Sequence, residues 1–318
     1  MAILVTGGCG FIGSNFIRYF TKKYKEKVYN VDKMTYAACY PDNIHINKQT
    51  MLIVGDICDR QLLTKFMVNN NIRAVINFAA ESHVDNSIKS SMPFVTTNVL
   101  GTVNLLDIVK DNIDILDKKF KFIHVSTDEV YGSLEGPEGS FTEETRYDPR
   151  SPYSASKAAS DHFVMAYRNT YKLPVIITNC SNNYGPYQHP EKFIPTVISK
   201  ALKNEKIPVY GNGMNVRDWL YVDDHCKAIC KVLSKGKIGE KYNIGGNNEI
   251  SNIDLAKKIL KLMGKPESLI EYVTDRPGHD FRYSIDNSKI VNELNWSPET
   301  DFDAGLMKTI DFYRLRNL

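Results

Sequence analysis

The glycine pattern near the N-terminus is the feature that most restricts how this chain can fold. The apolar residues 3–5 are followed at once by Gly7, Gly10 and Gly13, and then by an amphipathic pattern over residues 16–20. Glycines at this spacing let the backbone turn tightly, approach a diphosphate and pack the next helix close to the strand. The amides at the start of that helix face the anion. The sequence therefore predicts a strand–loop–helix unit that binds a dinucleotide.

Two acids follow the next predicted strands. Asp32 follows the predicted strand at residues 28–31, and Asp56 follows the predicted strand at residues 51–54. An acid about 20 residues beyond the glycines is placed to bond the ribose hydroxyls, which favours NAD over NADP. The alternative role for Asp32 is a turn residue or helix cap. Asp56 is predicted either to bond the adenine amine or to cap a helix that starts near Arg60.

Further predicted strands at 74–78, 121–125 and 174–178 alternate with helical patterns. This alternation predicts an α/β fold built on a Rossmann-type doubly wound parallel sheet. Beyond residue 180 the chain becomes polar, aromatic and rich in turns, which predicts a smaller, interleaved α/β substrate-binding domain. The predicted domains are an NAD-binding domain at 1–180 plus about 215–246, and a substrate-binding domain at about 181–214 and 247–318.

The nearly balanced charge is compatible with any small-molecule function but gives no reason to expect a large polyanion as a binding partner. The chain has 40 Lys plus Arg and 37 Asp plus Glu, a formal charge of +3. We therefore expect neither nucleic acid nor an anionic membrane as a partner. We find no apolar run of membrane-spanning length and no signal peptide before the first strand, which predicts a cytoplasmic protein.

The cysteines are scattered, without paired CxxC motifs, which predicts free thiols in a reducing cytosol. They are Cys9, Cys39, Cys58, Cys180, Cys226 and Cys230. Cys226 and Cys230 lie four residues apart beside His225, a spacing that could bind metal on a helix. Because two ligands and a neighbour do not complete a tetrahedral site, we predict no metal.

An acid pair follows the predicted strand at 121–125. The strand runs into Ser126 and Thr127, and then into Asp128 and Glu129. Ligands of open parallel sheets bind just beyond the carboxyl ends of the strands. Like charges in one site push their pKa values apart, so that one acid is kept protonated and the other ionised. A solvated acidic loop is the alternative.

Tyr153 and Lys157 are four residues apart and so lie on one face of a predicted helix. A lysine charge beside a phenol lowers the pKa of the phenol, and a cationic nicotinamide lowers it further. Such a tyrosine can take a proton from a sugar hydroxyl. Between the acid pair and this helix, residues 136–150 are polar with Pro and Gly, which predicts a mobile loop over the site.

The second half of the chain contains residues suited to a phosphorylated ligand. Arg217 and Arg276 could clamp a diphosphate, and Tyr210 could flank a base. Packing at the surface is the alternative for each of them. His83 is interpreted as a loop histidine without a chemical role.

Seven segments of the chain carry a resemblance to a known family. They are residues 7–13, 79–85, 126–132, the pair Tyr153 and Lys157, residues 182–187, 217–219 and 275–279. The chain resembles the extended short-chain dehydrogenases/reductases that act on nucleotide sugars, and within them the 4,6-dehydratases. The acid pair is the specific part, because epimerases of this fold usually carry small or hydroxyl residues there and decarboxylases typically keep Glu129 but not Asp128.

The resemblance implies a nucleotide-sugar substrate, dTDP-glucose or UDP-glucose, and an internal redox cycle. Tyr153, stabilised by Lys157, deprotonates the C4 hydroxyl, which Thr127 holds, while hydride passes from C4 to NAD. Glu129 then removes the C5 proton, and protonated Asp128 donates to the C6 hydroxyl as water leaves. Return of the hydride to C6 gives a 4-keto-6-deoxy sugar and regenerates NAD, which therefore stays bound.

The resemblance also assigns binding residues and an assembly. The residues assigned to NAD are Gly7, Gly10, Phe11, Ile12, Gly13, Asp32, Lys33, Thr35, Asp56, Ile57, Phe78, Ala79, Ala80, Ser82, Thr97, Tyr153, Lys157 and Asn183. The residues assigned to the substrate are Ser82, Ser126, Thr127, Asn182, Lys192, Pro208, Tyr210, Arg217, Asn252, Arg276 and His279. A homodimer through two long helices, around 93–111 and 154–171, is implied as well.

Three other functions stay open on the sequence. A 4-epimerase needs Tyr153 and Lys157 but not the acid pair, and a decarboxylase needs a substrate carboxylate. A non-catalytic NAD-binding sensor is expected to lose at least one of Tyr153, Lys157, Asp128 and Glu129, and all four are present. The product mass separates the three enzymes.

Overall fold

The structure is a computed structural model that describes residues 2–38, 40–43 and 46–316. The predicted thiol of Cys39 lies outside these ranges, and the five cysteines within them form no disulfide with one another. The strands, in chain order, are β1 (Ala2–Thr6), β2 (Lys27–Asp32), β3 (Thr50–Val54), β4 (Ile72–Asn77), β5 (Lys121–Thr127), β6 (Val175–Cys180), β7 (Asn182–Tyr184), β8 (Ile207–Tyr210), β9 (Val216–Tyr221), β10 (Lys241–Ile244), β11 (Glu249–Ser251) and β12 (Ile270–Val273).

Helices separate most of these strands. They are α1 (Phe11–Lys23), α2 (Arg60–Asn69), α3 (Val84–Lys89), α4 (Met92–Phe94), α5 (Thr102–Asp111), α6 (Pro152–Tyr171), α7 (Phe193–Lys203), α8 (Val222–Lys235), α9 (Asn252–Met263), α10 (Ser288–Leu294) and α11 (Phe302–Leu315). A π-helical segment, Val95–Gly101, joins α4 to α5. Directly after β5, residues Asp128–Tyr131 form one turn of 3₁₀-helix.

Seven strands form one parallel sheet in the order β10-β6-β5-β4-β1-β2-β3. Strands β1 and β6 are buried along their whole length, because helices cover both faces of the sheet. The chain extends the sheet from β1 to one side through β2 and β3, and then to the other side through β4. Ligands of such sheets bind at this reversal, beyond the carboxyl ends of the strands. The predicted Rossmann-type sheet is confirmed.

Each face of the large sheet has its own hydrophobic core. On one face α1 contributes Phe16 and Phe20, which are one turn apart, and packs beside α8 and α10. On the other face α2 contributes Leu63 and α5 contributes Leu105, next to α6. This two-sided packing brings the starts of α1 and α6 to the same edge of the sheet as the ends of β1 and β5.

A smaller unit is built from the second half of the chain. Strands β7, β9 and β11 form a three-stranded sheet and β8 pairs with β12, while α7, α9 and α11 pack around them. Because β10 joins the large sheet and α8 packs against α1, the two units interleave. The predicted boundaries need one correction: β9, which they place in the first domain, pairs with β7 and β11. The remaining boundaries stay a prediction.

One helical run, Met92–Asp111, is long and apolar enough to span a membrane by length and composition. The prediction that no stretch reaches this length is therefore corrected. The run packs against α2 and α6, and its buried residues Leu105 and Val109 belong to a core of the large sheet. Its apolar character thus serves the interior of the protein, and a single such helix is weak evidence for a membrane protein.

The loop predicted to be mobile is instead anchored to the smaller unit. The Arg282 guanidinium donates to the carbonyls of Gly136 and Gly139, each at 3.1 Å. The Phe141 N–H donates to the Ser284 carbonyl at 2.8 Å. The prediction of a mobile loop is wrong, because backbone groups that the sequence leaves unpaired bond to residues far along the chain.

Candidate active site

A cavity of about 300 Å³ lies at the carboxyl ends of β1, β2, β4, β5 and β6. Every residue assigned to NAD from the sequence lines this cavity. So do the catalytic candidates Thr127, Glu129, Tyr153 and Lys157. Asp128 is not among the lining residues and is buried, 1% exposed.

The glycine loop fits closely against the neighbouring strand end. Gly7 has φ +69°, and a Cβ there would lie 2.7 Å from the Ala79 Cα. A Cβ on Gly13 would collide with the Gly7 carbonyl oxygen. These positions therefore exclude side chains, which leaves the backbone open to a ligand in the cavity.

Asp32 lies at the end of β2 and has two roles in the structure. Its carboxylate accepts the N–H groups of Cys9 and Met34, each at 2.8 Å, and so fixes the glycine loop and the turn after β2. It also lines the cavity. Burial raises the pKa of Asp32, and the two N–H donors oppose this rise.

Asp56 lines the cavity beside Lys33, whose Nζ lies 2.7 Å from the Asp56 carboxylate. The carboxylate also accepts the Cys58 N–H at 2.9 Å. The cap of α2 is Asp59, which accepts the Leu62 N–H, so the alternative of Asp56 as the helix cap is wrong. Asp56 therefore stays available at the cavity wall.

Asp128 occupies a site that favours its protonated form. The Thr127 hydroxyl donates to Asp128 Oδ1 at 3.2 Å, while Oδ2 is buried without a hydrogen-bond partner among the described residues. Burial raises the pKa of Asp128 well above its usual value, and the charges of Glu129 and Asp218 raise it further. When protonated, Oδ2 is a hydrogen-bond donor that can serve an acceptor on a ligand.

Glu129 faces the cavity from the same 3₁₀ turn. Burial raises the pKa of Glu129, but the nearby cations Arg276, Arg217 and Lys192 oppose this rise. The two neighbouring acids thus have different surroundings, because burial and the charges of Glu129 and Asp218 dominate at Asp128, whereas cations oppose burial at Glu129. This separation is the one expected of an acid and a base that share a site.

Tyr153 and Lys157 are presented by the first turns of α6. Ser151 caps this helix by accepting the Ser154 N–H at 3.0 Å. The Lys157 Nζ donates to the Val125 carbonyl at 2.8 Å. Both side chains reach the cavity beside Thr127.

The pKa of Tyr153 departs from the prediction. Burial raises it well above its usual value, and Glu129, Cys180 and Asp128 add to the rise. The Thr127 hydroxyl acts in the opposite direction. The expected lowering is therefore wrong for the polypeptide by itself, because burial beside two carboxyl groups outweighs any lowering by Lys157.

Five of the residues assigned to the substrate line the same cavity: Ser82, Ser126, Thr127, Asn182 and Lys192. The Lys192 Nζ donates to the Ser82 carbonyl at 2.8 Å. Burial lowers the pKa of Lys192, whereas Glu129 and Glu191 raise it. This part of the cavity thus carries a cation next to Glu129.

Tyr210, Arg276 and His279 lie outside the cavity lining, and the first two contact Asp85. The Tyr210 hydroxyl donates to Asp85 at 3.2 Å, and Arg276 Nη1 lies 3.4 Å from the same carboxylate. The His279 ring stands edge-on to Tyr210 at 6.2 Å. Asp85 is a residue that the sequence reasoning missed.

Arg217 is held on β9 by stacking and by backbone acceptors. Its guanidinium lies 4.2 Å from the centre of the Tyr283 ring and donates to the Asp280 carbonyl at 2.9 Å. Pro208 and Asn252 do not line the cavity; they belong to β8 and to the start of α9. The structure thus brings the cofactor and catalytic residues together more closely than those assigned to the nucleotide.

Other residues line the cavity without having been predicted. They are Val31, Ala37, Ala38, Gly55, Glu81, Val125, Cys180, Ser181, Gln188, His189 and Glu191. His189 and Glu191 lie in the polar segment after residue 181, whose composition did indicate a ligand-facing region. His83 lies 3.5 Å from Glu191, so it has a partner at the cavity mouth.

The candidate metal ligands on α8 have other partners. His225 Nδ1 bonds to the Asn183 side-chain oxygen at 2.9 Å, and Cys226 and Cys230 pack in a core of the large sheet. No cluster of three or more metal-ligating side chains occurs in the described ranges. Burial lowers the pKa of His225 to about 3.

The glycine loop, the acid after β2 and the Tyr–Lys pair define a dinucleotide-binding protein of the short-chain dehydrogenase/reductase type. The chain belongs to the family described as GDP-mannose 4,6 dehydratase, whose model matches residues 4–309. The predicted resemblance to nucleotide-sugar 4,6-dehydratases is confirmed.

Individual relatives agree with this family. A dTDP-glucose 4,6-dehydratase of Xanthomonas campestris pv. campestris is 52% identical over 325 residues, which cover 98% of this chain and 92% of the relative. The dTDP-glucose 4,6-dehydratase of Streptomyces venezuelae, crystallised with NAD and TYD bound, matches with a TM-score of 0.93 and 44% identity over 99% and 97% of the two chains. A UDP-glucuronic acid 4-epimerase of Bacillus cereus matches at 29% identity, with a TM-score of 0.89 over 99% and 100%.

Proposed function

We propose that this protein is a nucleotide-sugar 4,6-dehydratase that converts dTDP-glucose to the 4-keto-6-deoxy sugar nucleotide and water with a tightly bound NAD. The buried Asp128 carboxyl, with one oxygen unpaired beside Glu129 and Tyr153, is the observation that carries the proposal. An epimerase has no use for such an acid. The UDP-glucuronic acid 4-epimerase of Bacillus cereus is also a more distant relative than the dehydratases, at 29% identity against 44%.

The cofactor fits the residues of the cavity. The glycine loop leaves room for a diphosphate, and Asp32 lies where the ribose of NAD is expected. When bound, NAD accepts a hydride from the sugar and later returns it. Tyr153 takes the proton of the C4 hydroxyl, Lys157 stabilises the phenolate by its charge, and Thr127 holds the C4 oxygen.

The acid pair carries out the elimination. The C4 ketone makes the C5 proton acidic, and Glu129 removes it as a general base. Asp128, protonated at its unpaired oxygen, donates to the C6 hydroxyl so that water rather than hydroxide leaves. General acid assistance of this kind contributes roughly 10²–10⁴ in rate.

The nucleotide is proposed to lie toward the smaller unit. Arg217 and Arg276 are the proposed partners of the diphosphate, and Tyr210 and His279 flank the base. The names of the dehydratase relatives favour dTDP-glucose over UDP-glucose. Asn182 and Lys192 complete the sugar site.

Product mass tests the proposal most directly. Purified protein is given dTDP-glucose and UDP-glucose separately, without added NAD, and the products are weighed by mass spectrometry. Loss of water from dTDP-glucose, with slower or no reaction of UDP-glucose, is the expected result. An unchanged mass with an altered sugar identifies an epimerase, and no reaction of either substrate rejects catalysis. Recovery of NAD from the denatured protein checks that the cofactor is carried through purification.

We further propose a homodimer formed by α6 and by the run from α4 through the π segment to α5. These neighbouring helices expose large apolar side chains, including Met92, Leu100 and Phe163, which are 64%, 56% and 42% exposed. Such a patch on adjacent helices is a suitable surface for a second copy of the chain.

The remaining expectations concern the cellular compartment of the protein and its macromolecular partners. The described cysteines form no disulfide with one another, which agrees with a reducing cytosol, where we expect the protein to act. We expect no nucleic-acid or membrane partner, on the ground of the balanced charge.

A further inference from the structure

Asp161 is a buried acid that the proposed mechanism does not use. It lies on α6 one turn beyond Lys157 and two turns beyond Tyr153, so that the three side chains share one face of the helix. It is 1% exposed. An acid this deeply buried is rarely left without a compensating partner.

The contacts of Asp161 Oδ2 favour an ionised carboxylate, although Oδ1 has no hydrogen-bond partner among the described residues. Its Oδ2 accepts from the Ser126 hydroxyl at 2.9 Å, the Tyr147 hydroxyl at 2.9 Å and the Asn179 amide at 3.2 Å. Three donors around one oxygen match the capacity of a charged carboxylate. Burial by itself would raise the pKa of Asp161, but the nearby His124 N–H, the Lys157 charge and the Ser126 hydroxyl hold it below its usual value.

His124 does not supply the balancing charge, although its Nε2 lies 3.4 Å from Asp161 Oδ1. The Asn77 oxygen accepts from Thr6 at 2.6 Å, so the Asn77 amide donates to His124 Nδ1 at 3.2 Å. The His124 proton is thereby assigned to Nε2, and burial lowers the pKa of the imidazole. His124 is therefore neutral.

Lys157, which lies one turn before Asp161 on the same buried face of α6, is the candidate for the balancing charge. It is 3% exposed, and its Nζ donates to the Val125 carbonyl at 2.8 Å. Burial lowers the pKa of Lys157, and Asp161 is the leading group that raises it, followed by Cys180. Without a counter-charge, a buried ammonium group readily loses its proton.

We propose that Asp161 is a positioning residue of the active site, whose buried charge keeps Lys157 in its ammonium form and, through Lys157, keeps Tyr153 able to accept the proton of the sugar hydroxyl. This inference rests on the proposed function for its consequence in catalysis. The ionic coupling of Asp161 to Lys157 does not depend on the identity of the substrate.

Other titratable groups face these three residues from every side. Tyr131, Tyr147 and His124 face Asp161, Cys180 faces Lys157, and Glu129, Asp128 and Cys180 face Tyr153. Burial raises the pKa of Cys180 to about 12 and raises those of Tyr131 and Tyr147 still further above neutrality. These thiol and phenol groups therefore stay neutral where Asp161 and Lys157 are charged.

The test replaces Asp161 by Asn in the full-length protein with its bound cofactor. The first measurement follows the titration of the Lys157 side chain by NMR, its resonance being identified by its absence from a Lys157→Met variant. We expect the midpoint to fall by about one pH unit or more in Asp161→Asn, because a neighbouring opposite charge shifts a pKa by about 1–3 units. An unchanged midpoint overturns the proposal.

The second measurement is the pH profile of dTDP-glucose turnover. We expect the midpoint of the acidic limb of the kcat profile to move to a pH about one unit higher in Asp161→Asn. At a given pH on that limb kcat then falls about tenfold, while KM changes little. Asp161→Glu should restore the wild-type profile in part. A uniform loss of kcat at every pH would show that Asp161 only holds the fold, and would overturn the catalytic part of the proposal.

Tyr147→Phe is the matched control, because it removes one hydrogen bond to Asp161 and leaves the charge in place. Its acidic limb should stay where it is in the wild type. Adding Asp161→Asn to the Lys157→Met variant should cause no further shift of the profile. If the wild type does not convert dTDP-glucose, the proposed function fails, and the Lys157 titration still decides whether Asp161 controls this lysine.

Discussion

At the scale of single residues, the environment of Asp128 explains how an aspartic acid can donate a proton near neutral pH. Its side chain is buried, one oxygen is unpaired within the described structure, and the charges of Glu129 and Asp218 outweigh that of Arg217. Burial and these two carboxylates raise the pKa of Asp128. Glu129, one residue on, faces three cations that oppose the rise in its own pKa. The different surroundings of the two side chains thus separate an acid from a base.

Asp128→Asn tests this assignment. The amide keeps the shape of the side chain but has no acidic proton, so we expect dehydration to slow by roughly 10²–10⁴ while C4 oxidation continues. Stopped-flow absorbance should then show reduced cofactor accumulating on the enzyme, and mass spectrometry should show little loss of water. Unchanged turnover would remove Asp128 from this role.

The same carboxyl group predicts a pH dependence. Because only protonated Asp128 can donate and its pKa is raised, dehydration should persist at neutral pH and decline as the pH rises through that raised value. The measurement is the rate of the elimination step against pH. Asp128→Asn should lack this alkaline decline, whereas a wild-type decline at the pH of an ordinary aspartate would contradict the assignment.

At the scale of elements, α6 connects the sequence pattern to the site. Its start is fixed by Ser151 and Ser154, each of which bonds to the backbone of the other. Tyr153 and Lys157 follow within the next turn and a half. A helix that starts at a fixed residue presents its first side chains in a fixed direction.

Ser151→Ala should lower the free energy of unfolding by about 1 kcal/mol, because the first turn of α6 loses its cap. Denaturant unfolding followed by circular dichroism measures the change. Ser234→Ala is the control: Ser234 is exposed near the end of α8, where its hydroxyl donates to a carbonyl of its own helix. An equal effect of both substitutions would contradict the cap.

At the scale of the whole molecule, the large sheet and the smaller unit both contribute residues to the surroundings of the cavity. The large sheet contributes the glycine loop, the acid pair and the Tyr–Lys pair, while Lys192 reaches the cavity from just before α7. Arg217 and Arg276 act on Glu129 from the smaller unit. The interleaved chain thus places groups from both units around one cavity.

Leu100→Lys tests the proposed dimer. A lysine at this exposed apolar position would meet its copy, or other apolar groups, across a symmetric interface, so we expect monomers at micromolar concentration. Light scattering after size-exclusion chromatography gives the mass. Met51→Lys is the control, since Met51 is similarly exposed, 57% against 56%, but lies on the edge strand β3. Dimers that persist in Leu100→Lys, or monomers in the wild type, would contradict the proposed interface.

The sequence predicts those features that depend on short spacings. The glycine loop and the Tyr–Lys pair are local patterns, and the structure places them as predicted. Features that depend on distant partners were not predictable: Arg282 lies more than a hundred residues from the loop that it anchors. The raised pKa of Tyr153 likewise depends on burial, which the sequence does not state. Asp161 could have been found, since it repeats the spacing between Tyr153 and Lys157.

Asp85 has a consequence for how a nucleotide would arrive. Its carboxylate already bonds to Tyr210 and lies 3.4 Å from Arg276 Nη1. If Arg276 receives the diphosphate, as proposed, the incoming phosphate replaces one negative group by another at the same guanidinium. Arg276 would therefore have a negative partner both before and after the ligand binds. The affinity for the nucleotide sugar should then depend on ionic strength less than the charge of the ligand suggests.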